Sequence, residues 1–126
     1  MAMVMKKWGL VLYWLATVAA ALLFAVPGSA LLFGAPHFTV EMARLGYPAY
    51  FLLPFGFFKI LGAVAILVPG FPRPKEWAYA GMVFDAVFAA YSRAALHDPL
   101  PQIILPLLIG ALVLTSWALR PATRKL

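Results

Sequence analysis

Four apolar stretches dominate the order of residues, and each is close to the roughly 20 residues that a helix needs to cross a bilayer core. They cover about residues 8–33, 49–68, 77–96 and 100–119. The connectors between them are short and rich in turn-forming residues. Pro69-Gly70-Phe71-Pro72-Arg73-Pro74 is incompatible with a continuous helix. His97-Asp98-Pro99 is so brief that the two helices it joins must be antiparallel neighbours. The connector over 37–46 differs, because Phe38, Met42 and Leu45 recur at helical spacing opposite Glu41 and Arg44. That spacing predicts a short helix lying in the membrane interface, ended by Gly46, with Tyr47-Pro48 leading into the next span. The pattern as a whole predicts an all-α protein of four transmembrane helices. It forms one domain over residues 1–126, with a short interfacial helix between helices one and two.

Lys6 and Lys7 ahead of the first run give it the look of a secretory signal. Its apolar core is longer than a signal sequence requires, and three further membrane-length segments follow, so it is read as a retained helix. Pro27-Gly28-Ser29 falls near the far end of that helix and Pro106 and Gly110 interrupt the fourth, marking the expected bends.

Charge then sets direction. Lys6, Lys7, Arg73, Lys75, Arg120, Arg124 and Lys125 all fall on one side of a four-span topology, against Arg44 and Arg93 on the other. The excess of Lys and Arg marks the cytoplasmic side, so both termini are expected there. Trp8, Trp77 and Trp117 stand at span ends on the same side, where indole rings favour the headgroup region. The reading is of a multi-pass protein of the bacterial cytoplasmic membrane, with membrane lipid as its first partner.

Composition agrees, with 65% hydrophobic and 11% charged residues, against about half apolar and a quarter charged in soluble domains. The net charge of +6 flanks apolar runs instead of forming a polar stripe, so nucleic acid is not an expected partner. There is no cysteine, and hence no disulfide or thiol chemistry. No nucleophilic triad, phosphate-binding loop or zinc-hydrolase motif is present, so autonomous catalysis has no support.

The residues that demand explanation are the charges inside the spans. Lys59 and Asp85 sit mid-helix, where each costs roughly 2.5–3.5 kcal/mol on insertion scales. Counted from the cytoplasmic ends, both lie roughly 12–14 Å deep, so they are able to meet as an ion pair. Such a pair either fixes the packing of helices two and three or lines a polar cavity. Ser92 follows Asp85 at a spacing that keeps both on one helix face, with Phe88 and Ala89 between them and Arg93 at the margin. That face is expected to point inward, while Ala86, Ala90 and Ala94 form a small-residue stripe suited to close helix packing. Tyr91 reads as an interfacial anchor or as cavity lining. His37, Glu41 and His97 share the non-cytoplasmic rim and are weak candidates for a metal or haem site. Solvated loop histidines are the plainer reading, and Arg93 with Asp98 reads as a rim ion pair.

The stretches Ala43-Arg44-Leu45-Gly46-Tyr47-Pro48-Ala49-Tyr50-Phe51 and Lys59-Ile60-Leu61-Gly62-Ala63 resemble the DoxX-like family of small four-helix membrane proteins. So do the segment from Leu67 to Gly81 and the pairs Phe84-Asp85 and Asp98-Pro99. The resemblance implies a four-helix bundle, in a superfamily that includes membrane subunits of quinone-linked oxidation and, more distantly, chaperones of receptor assembly. It places Lys59 and Asp85 on the family's polar positions in helices two and three. The chain departs from the pattern at Leu31, near which a lysine is expected, and at Arg93, where a histidine is expected.

Two functions follow as expectations. In one, the bundle binds a small amphipathic ligand, a quinone or a lipid, and serves as the membrane subunit of a redox system. Lys59, Asp85 and Arg93 would then contact the ligand's polar atoms, and Phe88 or Tyr91 would pack on its ring. In the other, the chain is a noncatalytic scaffold or assembly chaperone that docks another membrane protein or, as a homodimer, itself.

Overall fold

The computed structural model describes residues 2–125, and it is all-α, with five helices joined by short turns. The first, α1 (Ala2–Leu32), carries Pro27 inside it. It begins about six residues earlier than the apolar pattern predicts, because nothing in the opening residues breaks a helix. Exposed Lys6 and Lys7 fit on its surface, since long lysine stems reach polar surroundings from within a helix. A left-handed Gly34 (φ +71°) turns the chain into α2 (Pro36–Arg44), which opens with proline in its first turn and buries no residue. Gly46, also left-handed, ends that excursion, and a 3₁₀ turn at Ala49–Phe51 leads into α3 (Leu52–Leu67).

Two successive left-handed residues, Gly70 (φ +76°) and Phe71 (φ +54°), then reverse the chain into α4 (Pro72–Ala95). A second tight reversal, with His97 at φ +58°, starts α5 (Leu100–Ala118). The chain closes with a 3₁₀ turn at Ala122–Arg124.

The four long helices pack in cyclic order, α1 against α3 and α5, and α4 against α5 and α3. Small residues bring two of these pairs close together, and at one of them the backbones nearly touch. A Cβ added to Gly28 would stand 2.8 Å from the carbonyl oxygen of Gly56, and one added to Gly56 would stand 2.7 Å from that of Gly28. Glycine is therefore required on both sides of the α1–α3 crossing. Gly110 of α5 is similarly close to Ala86 of α4, which belongs to the alanine stripe, whereas Ala94 is exposed. The apolar core gathers Ala20, Ala21, Phe24, Ala63, Ile66, Tyr79, Met82 and Val113.

The exterior is also apolar, with Leu15, Leu22, Phe58, Phe84, Leu105 and Leu108 all exposed. A surface of this kind suits hydrocarbon and not water. Three segments are long and apolar enough to cross a membrane: Lys6–Leu32, Ala49–Leu67 and Leu100–Ala118. The fourth long helix, α4, has the length but not the apolar character, since Arg73, Lys75, Glu76, Asp85 and Arg93 lie along it.

At one end of the molecule the first half of α1, the end of α3, the start of α4 and the C-terminal turn come together. The end of a helix leaves carbonyl oxygens without partners, and here two cations supply them. Arg124 donates to Ile66 O at 3.0 Å and Leu67 O at 3.1 Å, and Lys75 donates to the carbonyls of Val68 and Gly70. Both side chains are buried, and the Arg124 guanidinium lies 4.7 Å from the Trp14 ring centre. Beside them Ser116 shares hydrogen bonds with Thr17 at 2.6 Å and Tyr79 at 2.7 Å. The buried Tyr13 hydroxyl has no partner among the described residues.

Candidate functional site

Lys59 on α3 and Asp85 on α4 meet across the helix interface, with Lys59 Nζ donating to Asp85 Oδ2 at 2.7 Å. The rings of Phe24 and Phe55 flank the ammonium at 4.8 and 4.6 Å, their negative faces adding attraction to the cation. Neither partner is sealed off, for the side chains keep 14% and 16% exposure. The pair also keeps unused bonding capacity. An ammonium has three donors, and Lys59 directs one to Asp85; the second carboxylate oxygen, Asp85 Oδ1, accepts no hydrogen bond among the described residues. A neutral pair with a spare donor beside a spare acceptor is thus set within an apolar wall.

On one side of this pair lies a cavity of about 670 Å³. Leu23, Phe24 and Pro27 of α1, Ala86 and Ala89 of α4, and Leu105, Pro106 and Ile109 of α5 give it apolar walls. Lys59 and Asp85 contribute to its lining, and Gln102 with the α2 residues His37, Phe38, Glu41 and Arg44 lines it near the mouth. A network of four charges closes this region. Arg44 forks onto Asp98, with 3.0 and 2.8 Å bonds to its two oxygens, and reaches Glu41 at 2.5 Å. Arg93 bridges the same two carboxylates, at 3.0 Å to Glu41 and 3.3 Å to Asp98.

Hydrogen bonding from the Arg44 guanidinium holds both the Glu41 and the Asp98 carboxyls below their ordinary range, with smaller help from Arg93. Arg44 is in turn held firmly charged by its bonds to Asp98 and then Glu41. Since α2 buries no side chain, this network is the principal tie holding it over the cavity.

On the other side of the pair a groove of about 560 Å³ runs between α3 and α4. Phe55, Phe58, Leu61, Gly62 and Ala65 line it from α3, and Pro74, Trp77, Ala78, Gly81 and Met82 from α4. Phe24, Lys59 and Asp85 are common to both spaces, so the ion pair stands in the partition between them.

The residues singled out from sequence separate into groups. Lys59, Asp85 and Arg93 line the cavity. Ser92 does not; its hydroxyl lies 2.9 Å from that of Tyr47 and ties α4 to the segment ahead of α3. Phe88 and Tyr91 are 60% and 68% exposed on the outside of α4, which corrects the expectation that either packs on a ring held inside. The reason is azimuth. At about 100° per residue the cavity takes the side of α4 from Asp85 through Ala89 and Arg93 to Ala86, whereas Phe88 and Tyr91 fall on the opposite side of Asp85.

Of the rim residues, His37 and Glu41 line the cavity and His97 does not. Among the described residues no three His, Asp or Glu side chains come together in a metal-ligand group. The Glu41 carboxylate is instead occupied by two arginines.

Sequence reasoning missed Arg44 as the hub of the mouth network and Phe24 and Phe55 as partners of Lys59. Arg44 had a readable signal, since Glu41 precedes it by one helical turn. The aromatic partners had none, because they depend on which face of α1 meets α3.

Comparison with protein families gives a match to the model described as the DoxX-like family over residues 15–116. That interval contains α2 to α4, most of α1 and nearly all of α5, and so every residue of the cavity and the groove. No curated protein and no solved structure matches the chain.

Proposed function

Because the chain belongs to the DoxX-like family, we propose that it is a four-span bundle that holds a small amphipathic ligand, of quinone type, beside the Lys59–Asp85 pair. In this reading α4 is the fourth span. Its Lys59-paired aspartate and its rim arginine are neutralised by partners, and the charges of its first turns belong to the interface. Both termini face the cytoplasm in this reading, which the excess of Lys and Arg at that end supports.

The observation that carries the proposal is the roughly 670 Å³ cavity, largely apolar, with a hydrogen-bonding ion pair in its wall. Ligand sites combine this kind of volume and lining with a few convergent polar groups. A pair serving packing alone would be expected to leave no space around it. With no cysteine of its own, the chain would take part in electron transfer through such a ligand, as the membrane subunit of a redox system.

Titration of the purified full chain with decyl benzoquinone tests the reading, using quenching of tryptophan emission. Saturable quenching is expected, since Trp77 lines the groove beside the pair. Purely collisional, unsaturable quenching would contradict it, and a stably copurifying membrane protein would then favour the scaffold role.

A further inference from the structure

We infer that the ligand reaches the Lys59–Asp85 pair sideways from the bilayer, through the α3–α4 groove, and that it is a neutral amphiphile whose hydrocarbon tail lies along that groove. The inference rests on the ligand-binding reading above and adds the route, the seat of the tail and the charge of the head. The groove follows the helices: from Trp77 to Asp85 on α4 it is roughly 12 Å long, and from Ala65 to Phe55 on α3 roughly 15 Å. Its axis is therefore that of extended lipid chains in a membrane spanned by these helices. Apart from the ion pair every side chain lining it is apolar, and its inner end is closed by the same Phe24, Lys59 and Asp85 that wall the central cavity.

The head is specified by what the pair leaves unused. Lys59 has donors to spare, and among the described residues Asp85 Oδ1 accepts nothing, so a carbonyl head accepts from Lys59, and a hydroxyl head accepts from Lys59 and donates to Asp85. The pair is already neutral, and a phosphate or carboxylate head would bring an uncompensated charge into hydrocarbon. Gly81 makes room for the tail. A Cβ built there meets nothing within 4 Å, so the wall of the groove is open at that point.

A tail gains little affinity by leaving lipid for an apolar groove, so its position is the quantity to measure. The full chain in lipid nanodiscs is irradiated with decyl benzoquinone carrying a diazirine in its tail, and adducts that excess unlabelled decyl benzoquinone suppresses are mapped by mass spectrometry. Suppressible adducts are expected on Phe58, Leu61, Trp77 or Met82. They should be lost in Gly81→Trp, whose Cβ meets nothing within 4 Å and whose ring is intended to occupy the groove; a melting curve like the parent's shows that the bundle accepts it. Excess decyl phosphate should not suppress them.

Suppressible adducts on Leu105 or Ile109 would overturn the inference by putting the tail in the central cavity, while leaving the ligand reading intact. Suppression by decyl phosphate would overturn the neutral head. Absence of any suppressible adduct, together with unsaturable tryptophan quenching, would remove the ligand reading itself and this inference with it.

Discussion

The two ends of the molecule use charge in opposite ways. At the end that gathers the C-terminal turn, Arg124 and Lys75 are buried against the carbonyls that end α3 and those of the turn after it, and Thr17, Tyr79 and Ser116 form a buried polar seam beside them. At the other end Glu41, Arg44, Arg93 and Asp98 neutralise one another at the mouth of a cavity, over a helix that buries nothing. The first arrangement finishes a helix, and neither Lys75 nor Arg124 lines the cavity or the groove. The second leaves a volume open, with Lys59 and Asp85 at its inner boundary. At the first end the buried cations cap backbone carbonyls, and among the described residues only the outlying Arg120 pairs with a carboxylate, Glu76 at 3.1 Å; at the second the cations meet carboxylates around a cavity.

The largest effect should come from splitting the central pair. Asp85→Asn leaves an ammonium without its counter-charge, at a cost of about 3–5 kcal/mol. Adding Lys59→Met should recover much of that loss, and melting in detergent reads the difference. Equal destabilisation of the single and double variants would show that the two residues are not coupled.

Next is the closed end. Lys75→Met removes the buried donor to Val68 and Gly70, leaving Val68 O with Arg124 alone at 3.3 Å, and should cost about 1–2 kcal/mol. Ligand binding at the other end should survive it. A Lys75→Met protein that stays as stable as the parent would mean that the seam is not held as described.

The smallest effect belongs to the rim, where Glu41→Gln should change melting by at most about 1 kcal/mol, because the network is partly exposed. Its consequence should appear instead as mobility of a spin label at Val40 on α2. Acid should act in the same direction. The Glu41 and Asp98 carboxyls titrate below their ordinary values, so their contribution is complete above about pH 5 and is lost as pH falls through the lowered folded values. The label should stay restrained at neutral pH and loosen only in strong acid. Loosening between pH 6 and 8 would assign the tie to other groups.

The broad outline was legible from the chain because hydrocarbon is an exacting solvent. Apolar runs of membrane length, the breaks at Pro69-Gly70 and His97-Asp98-Pro99, and two charges at one depth are all one-dimensional signals. Azimuth is not. The spacing to Asp85 puts Phe88 on the inward face and leaves Tyr91 between anchor and lining, but spacing fixes positions relative to each other and not which side meets the cavity, and both are exposed. Lys75 and Arg124 read along the chain as orienting charges and are also buried caps, because the chain reversal that delivers the carbonyls of residues 66–70 to them depends on a left-handed Phe71. The Gly28–Gly56 crossing joins residues far apart in sequence, so neither glycine by itself announced it.

The central claim is that the Lys59–Asp85 pair exists to meet a ligand and not merely to join two helices. The double variant Lys59→Met with Asp85→Leu separates these roles, since an apolar replacement of similar volume preserves or improves packing. Decyl benzoquinone titration of that variant, alongside its melting curve, should find a folded bundle without saturable quenching. A stable double variant that still binds the quinone as the parent does would contradict the account.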